Sequence, residues 1–190
     1  MLLLHGWTGD ESSMWSLARN LKDSYWLLAP RAPFPASQEG FSWRPFTPEA
    51  THPPTYDQLR PSAAMLLDFL DHWGIANAVD VNQIDLMGFS QGAAMAITFA
   101  MTYPQRIRKT GVLAGFAPRG LDPLSASQPL KGKSVFLTHG TLDELVPIES
   151  AYATRLLLER SGAEVTFCEA EVGHKVSAEC LKALEVFFSS

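Results

Sequence analysis

The chain has 190 residues, of which 46% are hydrophobic and 18% are charged, and its formal net charge is −5. This is the composition of an ordinary globular protein, and it excludes an intrinsically disordered chain. The length suffices for one substantial core, so we expect a single domain over residues 1–190. The acidic balance argues against nucleic acid as the main partner, because phosphate binding requires clustered Lys and Arg.

The two cysteines are too few for a disulfide scaffold in a chain of this size. Cys168 lies in a predicted strand and Cys180 in a predicted helix, where we expect small buried hydrophobic residues and leave a bridge between them open. Residues 1–6 have no basic region and too short an apolar run for a secretion signal. No stretch reaches the ~20 apolar residues of a membrane span, which predicts a soluble, cytoplasmic protein.

Short apolar runs alternate with helical patterns in the first half of the chain. We predict strands at 2–4 and 25–29. Between them, Ser13 could cap a helix whose apolar positions are Met14, Leu17, Ala18 and Leu21. A further helix should run from near Pro61 to about Trp73, where Gly74 stops it. Residues 30–60 are rich in proline and aromatic residues, which predicts a long ordered excursion over the surface without strand or helix.

The second half of the chain repeats a strand–helix rhythm. We predict strands at 84–88, 110–114, 134–138 and 164–169, and helices at 91–101, 148–160 and 177–188. A loop rich in proline, glycine and serine covers about 116–132. Strands separated by helices form βαβ units, so the sequence predicts an α/β protein with a mostly parallel, doubly wound sheet and helices on both faces.

The segment Gly88-Phe89-Ser90-Gln91-Gly92 fits the pattern G-x-S-x-G. An apolar strand precedes it and an apolar helix follows it, which is the setting of a nucleophilic serine on a tight turn. The glycines remove side chains that would collide if Ser90 were held in a strained conformation. The helix directs its N-terminus at the site, so the Gln91 N–H is a candidate oxyanion donor. The alternative is a glycine-flanked turn with an inert serine.

A serine hydroxyl needs a base that removes its proton. In the α/β-hydrolase order the acid follows the serine and the histidine comes last. His174 lies in the loop after the last predicted strand, so it is our candidate base. His139 lies at the end of a strand before the expected acid, so we interpret it as structural. His52 and His72 have no supporting pattern and are expected at the surface.

The acid should lie in a loop after the strand that precedes the final strand. Residues 139–147 fit this place, and Asp143 is our candidate. Glu144 is the adjacent rival, and Glu171 is a weaker one because it is close to His174 in sequence. An aspartate in such a loop is usually a turn or cap residue, so this assignment depends on its combination with Ser90 and His174.

A second oxyanion donor is expected in the loop after an early strand. The loop His5-Gly6-Trp7-Thr8-Gly9 has this position, and the Trp7 backbone N–H is the candidate donor. The histidines are scattered, and the chain has no CxxC, no HExxH and no GxGxxG after a strand. We therefore expect no metal and no dinucleotide cofactor.

Four segments carry a family resemblance: Leu3-Leu4-His5-Gly6 with Gly9-Asp10, Gly88-Phe89-Ser90-Gln91-Gly92, His139-Gly140-Thr141-Leu142-Asp143 with Val146-Pro147, and Gly173-His174. Together they resemble the phospholipase/carboxylesterase family of α/β-hydrolases, which includes the acyl-protein thioesterases. The resemblance implies a compact fold without a separate cap domain and a Ser90–His174–Asp143 triad, with Trp7 and Gln91 as oxyanion donors. It also implies small or acyl-chain esters or thioesters as substrates, no cofactor, and often a homodimer.

The excursion from Arg31 to Tyr56 departs from what we expect of a typical thioesterase. Its aromatic residues Phe41, Trp43 and Phe46 either line an acyl pocket or pack the long loop onto the domain. The sequence therefore does not define the length of the substrate's acyl chain or the alcohol or thiol to which that chain is joined. Two rival readings also remain: a non-catalytic ligand-binding protein on this fold, and a triad enzyme of another reaction type, such as an acyltransferase or a peptidase.

Overall fold

The computed structural model describes residues 1–21, 25–37, 39–47 and 53–190. In chain order its elements are β1 (Leu2–Leu4), α1 (Trp15–Ala18), β2 (Phe34–Pro35), β3 (Phe41–Ser42), α2 (Tyr56–Asn77), β4 (Ile84–Phe89), α3 (Gln91–Thr102), a 3-10 turn (Pro104–Arg106), β5 (Ile107–Leu113), α4 (Asp122–Ser125), β6 (Ser134–Gly140), α5 (Ile148–Arg160), β7 (Glu164–Ala170) and α6 (Ala178–Ser189).

Five parallel strands form the central sheet in the order β1-β4-β5-β6-β7. Strands β2 and β3 form a separate antiparallel ribbon. Each strand alternates its side chains between two cores, as the period of a strand requires. Leu2 and Leu4 face the core covered by α2, α3 and α5, whereas Leu3 faces the core covered by α1 and α6. The predicted doubly wound α/β fold is therefore confirmed.

Helix α3 is buried along nearly its whole length, from Gln91 to Met101. Its small residues let it approach the sheet closely. A Cβ on Gly92 would collide with the carbonyl oxygens of Leu4 and His5, and one on Gly88 would collide with the Gly92 carbonyl. The turn that carries Ser90 is thus compressed between β4 and α3, and only glycine fits at its two flanks.

The predicted bounds of α2 were wrong at both ends. The helix begins at Tyr56 because Thr55 and Gln58 form a capping box, and Pro61 lies inside the helix. Gly74 does not stop the helix; it lies buried against Val81, and a Cβ there would approach a Val81 methyl to 2.7 Å. The helix instead ends at Asn77, and the next residue, Ala78, caps it with a φ of 53°. No described helix is both long enough and apolar enough to cross a membrane.

Two N-terminal predictions also need correction. Helix α1 has only four residues, and Ser13 does not cap it, because the Ser13 hydroxyl bonds Asp10 and closes a turn there. Residues 25–29 do not form a regular strand. Leu28 alone extends the sheet edge beside β1, where the Leu3 N–H donates to the Leu28 carbonyl over 2.7 Å. The excursion is likewise not free of regular structure, since it contains β2, β3 and the start of α2.

A disulfide joins Cys168 on β7 to Cys180 on α6. The cysteines lie in a strand and a helix, as predicted. Cys180 is buried as expected, Cys168 is only half-buried, and the bond between them is the alternative that the sequence left open. The bond closes a segment of sequence separation 12 that contains the loop with His174. It therefore constrains both ends of that loop.

Candidate active site

Ser90 lies at the sharp turn between β4 and α3. Its φ of 55° and ψ of −117° form a backbone conformation that L-residues rarely adopt. Two backbone hydrogen bonds hold the turn: the Ser90 N–H donates to the Leu113 carbonyl over 2.9 Å, and the Ser90 carbonyl accepts from the Ala93 N–H over 3.0 Å. The strained turn presents the half-buried Ser90 hydroxyl at the carboxyl edge of the sheet.

His174 lies in the loop after β7 and contacts both of its predicted partners. Its Nε2 is 3.0 Å from Ser90 Oγ, and its Nδ1 is 2.7 Å from Asp143 Oδ2. The loop is held in place because the Leu142 N–H donates to the Val172 carbonyl. With Nδ1–H donating to the carboxylate, Nε2 has a lone pair that can accept the serine proton.

Asp143 is buried on the turn between β6 and α5. Its Oδ1 accepts from the backbone N–H groups of Leu145 and Val146, and its Oδ2 accepts from His174. Burial by itself would raise the pKa of Asp143, but these hydrogen bonds outweigh it and hold that pKa below its ordinary value. The rival carboxylates Glu144 and Glu171 are both exposed.

The other histidines have different surroundings. His72 is exposed on α2, beside Asp68. His139 is buried, with its Nε2 2.7 Å from the Val146 carbonyl. His52 lies outside the described residues.

The two candidate oxyanion donors lie on either side of Ser90. Gln91 is the first residue of α3, and the loop with Trp7 packs so closely that a Cβ on Gly6 would approach the Ser90 Cβ to 3.3 Å. Within the described part of the chain, neither the Trp7 N–H nor the Gln91 N–H donates to a protein acceptor. Both groups are thus available to an oxyanion near Ser90.

A cleft of about 560 Å³ opens above Ser90 and His174. Phe116, Leu145 and Val146 form apolar parts of its wall, and the Trp7 side chain also lines it. The lining includes the buried cationic side chain of Arg44, whose guanidinium donates to Gln58. A cleft of this size, mostly apolar with a few convergent polar groups, suits a small organic molecule.

The three aromatic pocket candidates have separate places. Phe46 is 54% exposed and lines the cleft. Trp43 is buried in the core instead, where its indole N–H donates to the His5 carbonyl over 2.8 Å. Phe41 packs against the same core beneath the Arg31 guanidinium. Trp43 and Phe41 therefore pack the excursion onto the domain, which was the alternative to a pocket role.

Two side chains near the site were not predicted to have structural roles. The buried Gln91 side chain accepts from the Trp43 N–H and donates to the Ser42 hydroxyl, which ties the turn of Ser90 to the excursion. His5 accepts from the Ala32 N–H through Nε2 and donates to the Gly6 carbonyl through Nδ1. Apart from the His5 bond to its neighbour Gly6, these bonds join residues 27 to 49 positions apart, and no local pattern reveals such pairing.

Among the residues that the structure describes, no group of three or more His, Cys, Asp or Glu side chains is arranged to hold a metal ion.

The parallel sheet, the strained serine between strand and helix, and the later acid and histidine define the α/β-hydrolase class. Solved structures agree on the fold: the crystal structure of a Bacillus cereus carboxylesterase superposes with a TM-score of 0.86 at 24% identity, covering 99% of this chain and 86% of that one.

Within this class, the family model described as phospholipase/carboxylesterase matches residues 1–190, and the chain belongs to that family. A probable carboxylesterase of Oryza sativa subsp. japonica is 29% identical over 113 residues, which cover 58% of this chain and 42% of the relative. Acyl-protein thioesterase 1 of Eremothecium gossypii is 35% identical over 81 residues, covering 42% of this chain and 34% of the relative. Each match thus spans less than half of the relative's own length.

Proposed function

We propose that this protein is a serine esterase that cleaves carboxylic esters with Ser90 as nucleophile, His174 as base and Asp143 as orienting acid. One observation carries the proposal: a continuous hydrogen-bonded path runs from Ser90 Oγ through both ring nitrogens of His174 to Asp143, with distances of 3.0 and 2.7 Å. This is the geometry of an activated serine nucleophile. Membership of the phospholipase/carboxylesterase family supports the same chemistry.

The reaction would proceed through an acyl-enzyme in two halves. Ser90 Oγ attacks the ester carbonyl carbon while its proton passes to His174 Nε2, and the Trp7 and Gln91 N–H groups stabilise the oxyanion. The intermediate collapses, the bond to the alcohol breaks, and Nε2 returns the proton to that alcohol. Water then transfers a proton to Nε2 and attacks the acyl carbon. The second intermediate collapses, the bond to Ser90 Oγ breaks, and Nε2 returns the proton to Oγ, which releases the carboxylic acid and restores Ser90.

Asp143 serves this cycle as a fixed negative charge. Its lowered pKa keeps the carboxylate ionised at neutral pH, so it stabilises the imidazolium that forms at His174. The backbone donors Leu145 and Val146 occupy Oδ1 and leave Oδ2 to orient the imidazole.

The apolar walls of the cleft favour substrates with a small hydrophobic or acyl-chain group. A thioester fits the same steps with a thiol as leaving group, and the similarity to an acyl-protein thioesterase supports including it among the candidates. A series of p-nitrophenyl esters with increasing acyl length, compared with matched thioesters, would define the preference.

A homodimer and a cytoplasmic location are further proposals, which rest on the family resemblance and on the composition. The Cys168–Cys180 disulfide argues against the cytoplasmic location, because disulfides are uncommon in the reducing cytosol. Sedimentation velocity tests the first proposal. Thiol titration of protein extracted under alkylating conditions tests whether the cysteines are paired in the cell.

The direct test of the proposed function is Ser90→Ala, with Ser127→Ala on an exposed loop as the matched control. We expect Ser90→Ala to fold normally and to lose about 10⁴- to 10⁶-fold in kcat, because no other group supplies the nucleophile. Ser127→Ala should keep wild-type activity. An alanine variant at position 90 with full activity would overturn the assignment.

A further inference from the structure

His139 is a buried polar side chain to which the proposed reaction gives no role. It lies near the end of β6, and its side chain has no solvent exposure. Its Nε2 is 2.7 Å from the Val146 carbonyl and 3.4 Å from Asp143 Oδ2. His139 and His174 therefore both approach the same carboxylate oxygen, Asp143 Oδ2.

The hydrogen bond to Val146 fixes which ring nitrogen of His139 carries the hydrogen. A carbonyl oxygen can only accept, so Nε2 must be the donor. In the described part of the chain the buried Nδ1 has no hydrogen-bond partner. The unpaired Nδ1 agrees with a hydrogen on Nε2. Nδ1 then holds only a lone pair, and no buried N–H is left without an acceptor.

Val146 connects His139 to the acid. Its carbonyl accepts from His139, and its N–H donates to Asp143 Oδ1 over 2.9 Å. Asp143 in turn orients His174. A single path of hydrogen bonds thus runs from His139 through the Val146 peptide groups to the imidazole beside Ser90.

We propose that His139 is a positioning residue for ester hydrolysis, whose Nε2–H fixes the Val146 turn and thereby the orientation of Asp143. The proposal rests on the proposed function of Ser90, His174 and Asp143. Without this donor the buried Val146 carbonyl loses its partner and the turn shifts to find another. The Asp143 carboxylate then moves relative to His174, and a displacement of about 1 Å in a catalytic group costs on the order of 100-fold in rate.

Three variants separate the donor from the shape of the side chain. His139→Gln places an amide N–H near the position of Nε2, His139→Phe keeps the ring without a donor, and His139→Asn places its amide near Nδ1 instead. We expect His139→Gln to stay within about threefold of the wild-type kcat. We expect His139→Phe and His139→Asn to lose about 10- to 100-fold in kcat with KM nearly unchanged, as is usual when an outer hydrogen-bonding partner is removed.

A spectroscopic readout tests the same point without substrate. The proton between His174 Nδ1 and Asp143 Oδ2 gives a far-downfield ¹H resonance when the bond is short. We expect this resonance to persist in His139→Gln and to shift or vanish in His139→Phe and His139→Asn, with folding monitored by circular dichroism. Should His139→Phe fail to fold, the comparison of His139→Gln with His139→Asn decides.

Failure of the inference differs from failure of the proposed function. If the wild type hydrolyses esters and needs Ser90, but the donor-free variants keep both wild-type kcat and the resonance, His139 is not a positioning residue. If Ser90→Ala is fully active, the proposed function fails, whatever the His139 variants do. A loss of kcat in His139→Gln as large as that in His139→Phe would also overturn the positioning role, because packing alone would explain it.

Discussion

Asp143 and Glu144 are adjacent carboxylates with opposite surroundings. Asp143 is buried and accepts hydrogen bonds on both oxygens, whereas Glu144 is exposed. The difference arises from the turn after β6, whose Leu145 and Val146 N–H groups close onto Asp143 Oδ1. Only the buried carboxylate can hold a fixed angle to the imidazole.

Replacing each of these two carboxylates by its amide gives a matched pair. Asp143→Asn keeps the shape of the side chain but removes its charge and its preference for the Nδ1–H tautomer of His174. We expect kcat to fall by about 10⁴-fold, as in the Ser-His-Asp template. Glu144→Gln should keep wild-type kcat. A larger loss in Glu144→Gln than in Asp143→Asn, measured by ester hydrolysis at saturating substrate, would show that the acid was misassigned.

Individual residues of the site differ in how well the sequence predicts them. Ser90 was predicted from a five-residue motif in its strand–helix context, and His174 and Asp143 from their order along the chain. The structural roles of His5 and the Gln91 side chain were not predicted, because each bonds a segment far away in sequence. Tertiary packing alone creates those pairs, so the local pattern carries no signal for them.

At the scale of elements, the loop between β7 and α6 holds His174 between two covalently joined ends. Cys168 on β7 and Cys180 on α6 form the bond. A crosslink across a short segment stabilises the folded state chiefly by restricting the unfolded chain. Here it also restricts the loop that holds His174, the proposed base, beside Ser90.

Removal of the Cys168–Cys180 disulfide should affect both the stability of the protein and the loop between β7 and α6. The double variant Cys168→Ala, Cys180→Ala should lose about 2–3 kcal/mol in the free energy of unfolding, measured by urea denaturation. Its kcat should fall more than its KM changes, because His174 is less well held. Wild type treated with a dithiol reductant should match the variant, and the variant should not respond to reductant. Two free thiols in unreduced wild type would contradict this account.

Element bounds were predicted best where an apolar pattern and a stop signal coincide. Helix α5 has the predicted bounds, from Ile148 to Arg160. The sequence predicts too late a start for α2, because Pro61 suits a first helical turn, although Thr55 and Gln58 already carry the capping-box signal. The sequence also predicts that α2 ends at Gly74. This glycine instead allows a close approach to Val81, and that contact depends on the tertiary fold.

At the scale of the whole molecule, the sheet brings distant parts of the chain to one edge. Trp7, Ser90, Asp143 and His174 all lie in turns or loops that follow the carboxyl ends of β1, β4, β6 and β7. In open α/β sheets this edge is where ligands bind. The two cores pack on either side of the sheet and support the strands from which these turns and loops extend.

The stability of the whole molecule should depend on pH through His5. Burial is the main cause that lowers the pKa of His5 in the folded state below its ordinary value of 6.5, although the Gly6 carbonyl, Asp10 and Glu11 act in the opposite direction. The unfolded chain therefore binds a proton near pH 6.5, whereas the folded chain binds it only at lower pH. As a result, the free energy of unfolding decreases as the pH falls below 6.5. Protonation of Nε2 would also remove the bond from the Ala32 N–H.

Thermal unfolding at pH 7.5 and 5.5 measures this dependence. The wild-type midpoint should decrease more between the two pH values than that of His5→Gln, which has no titrating ring. The control variant His72→Gln, at an exposed position on α2, should behave like wild type. An equal decrease in wild type and His5→Gln would show that His5 does not contribute.

If Ser90 is an activated nucleophile, it reacts covalently with a fluorophosphonate. Intact-protein mass spectrometry after incubation with this reagent tests the proposal. We expect one adduct per chain, located at Ser90 by peptide mapping and accompanied by complete loss of esterase activity, and no adduct on Ser90→Ala. No adduct on a folded protein, or an adduct at another residue with activity lost in parallel, would contradict it.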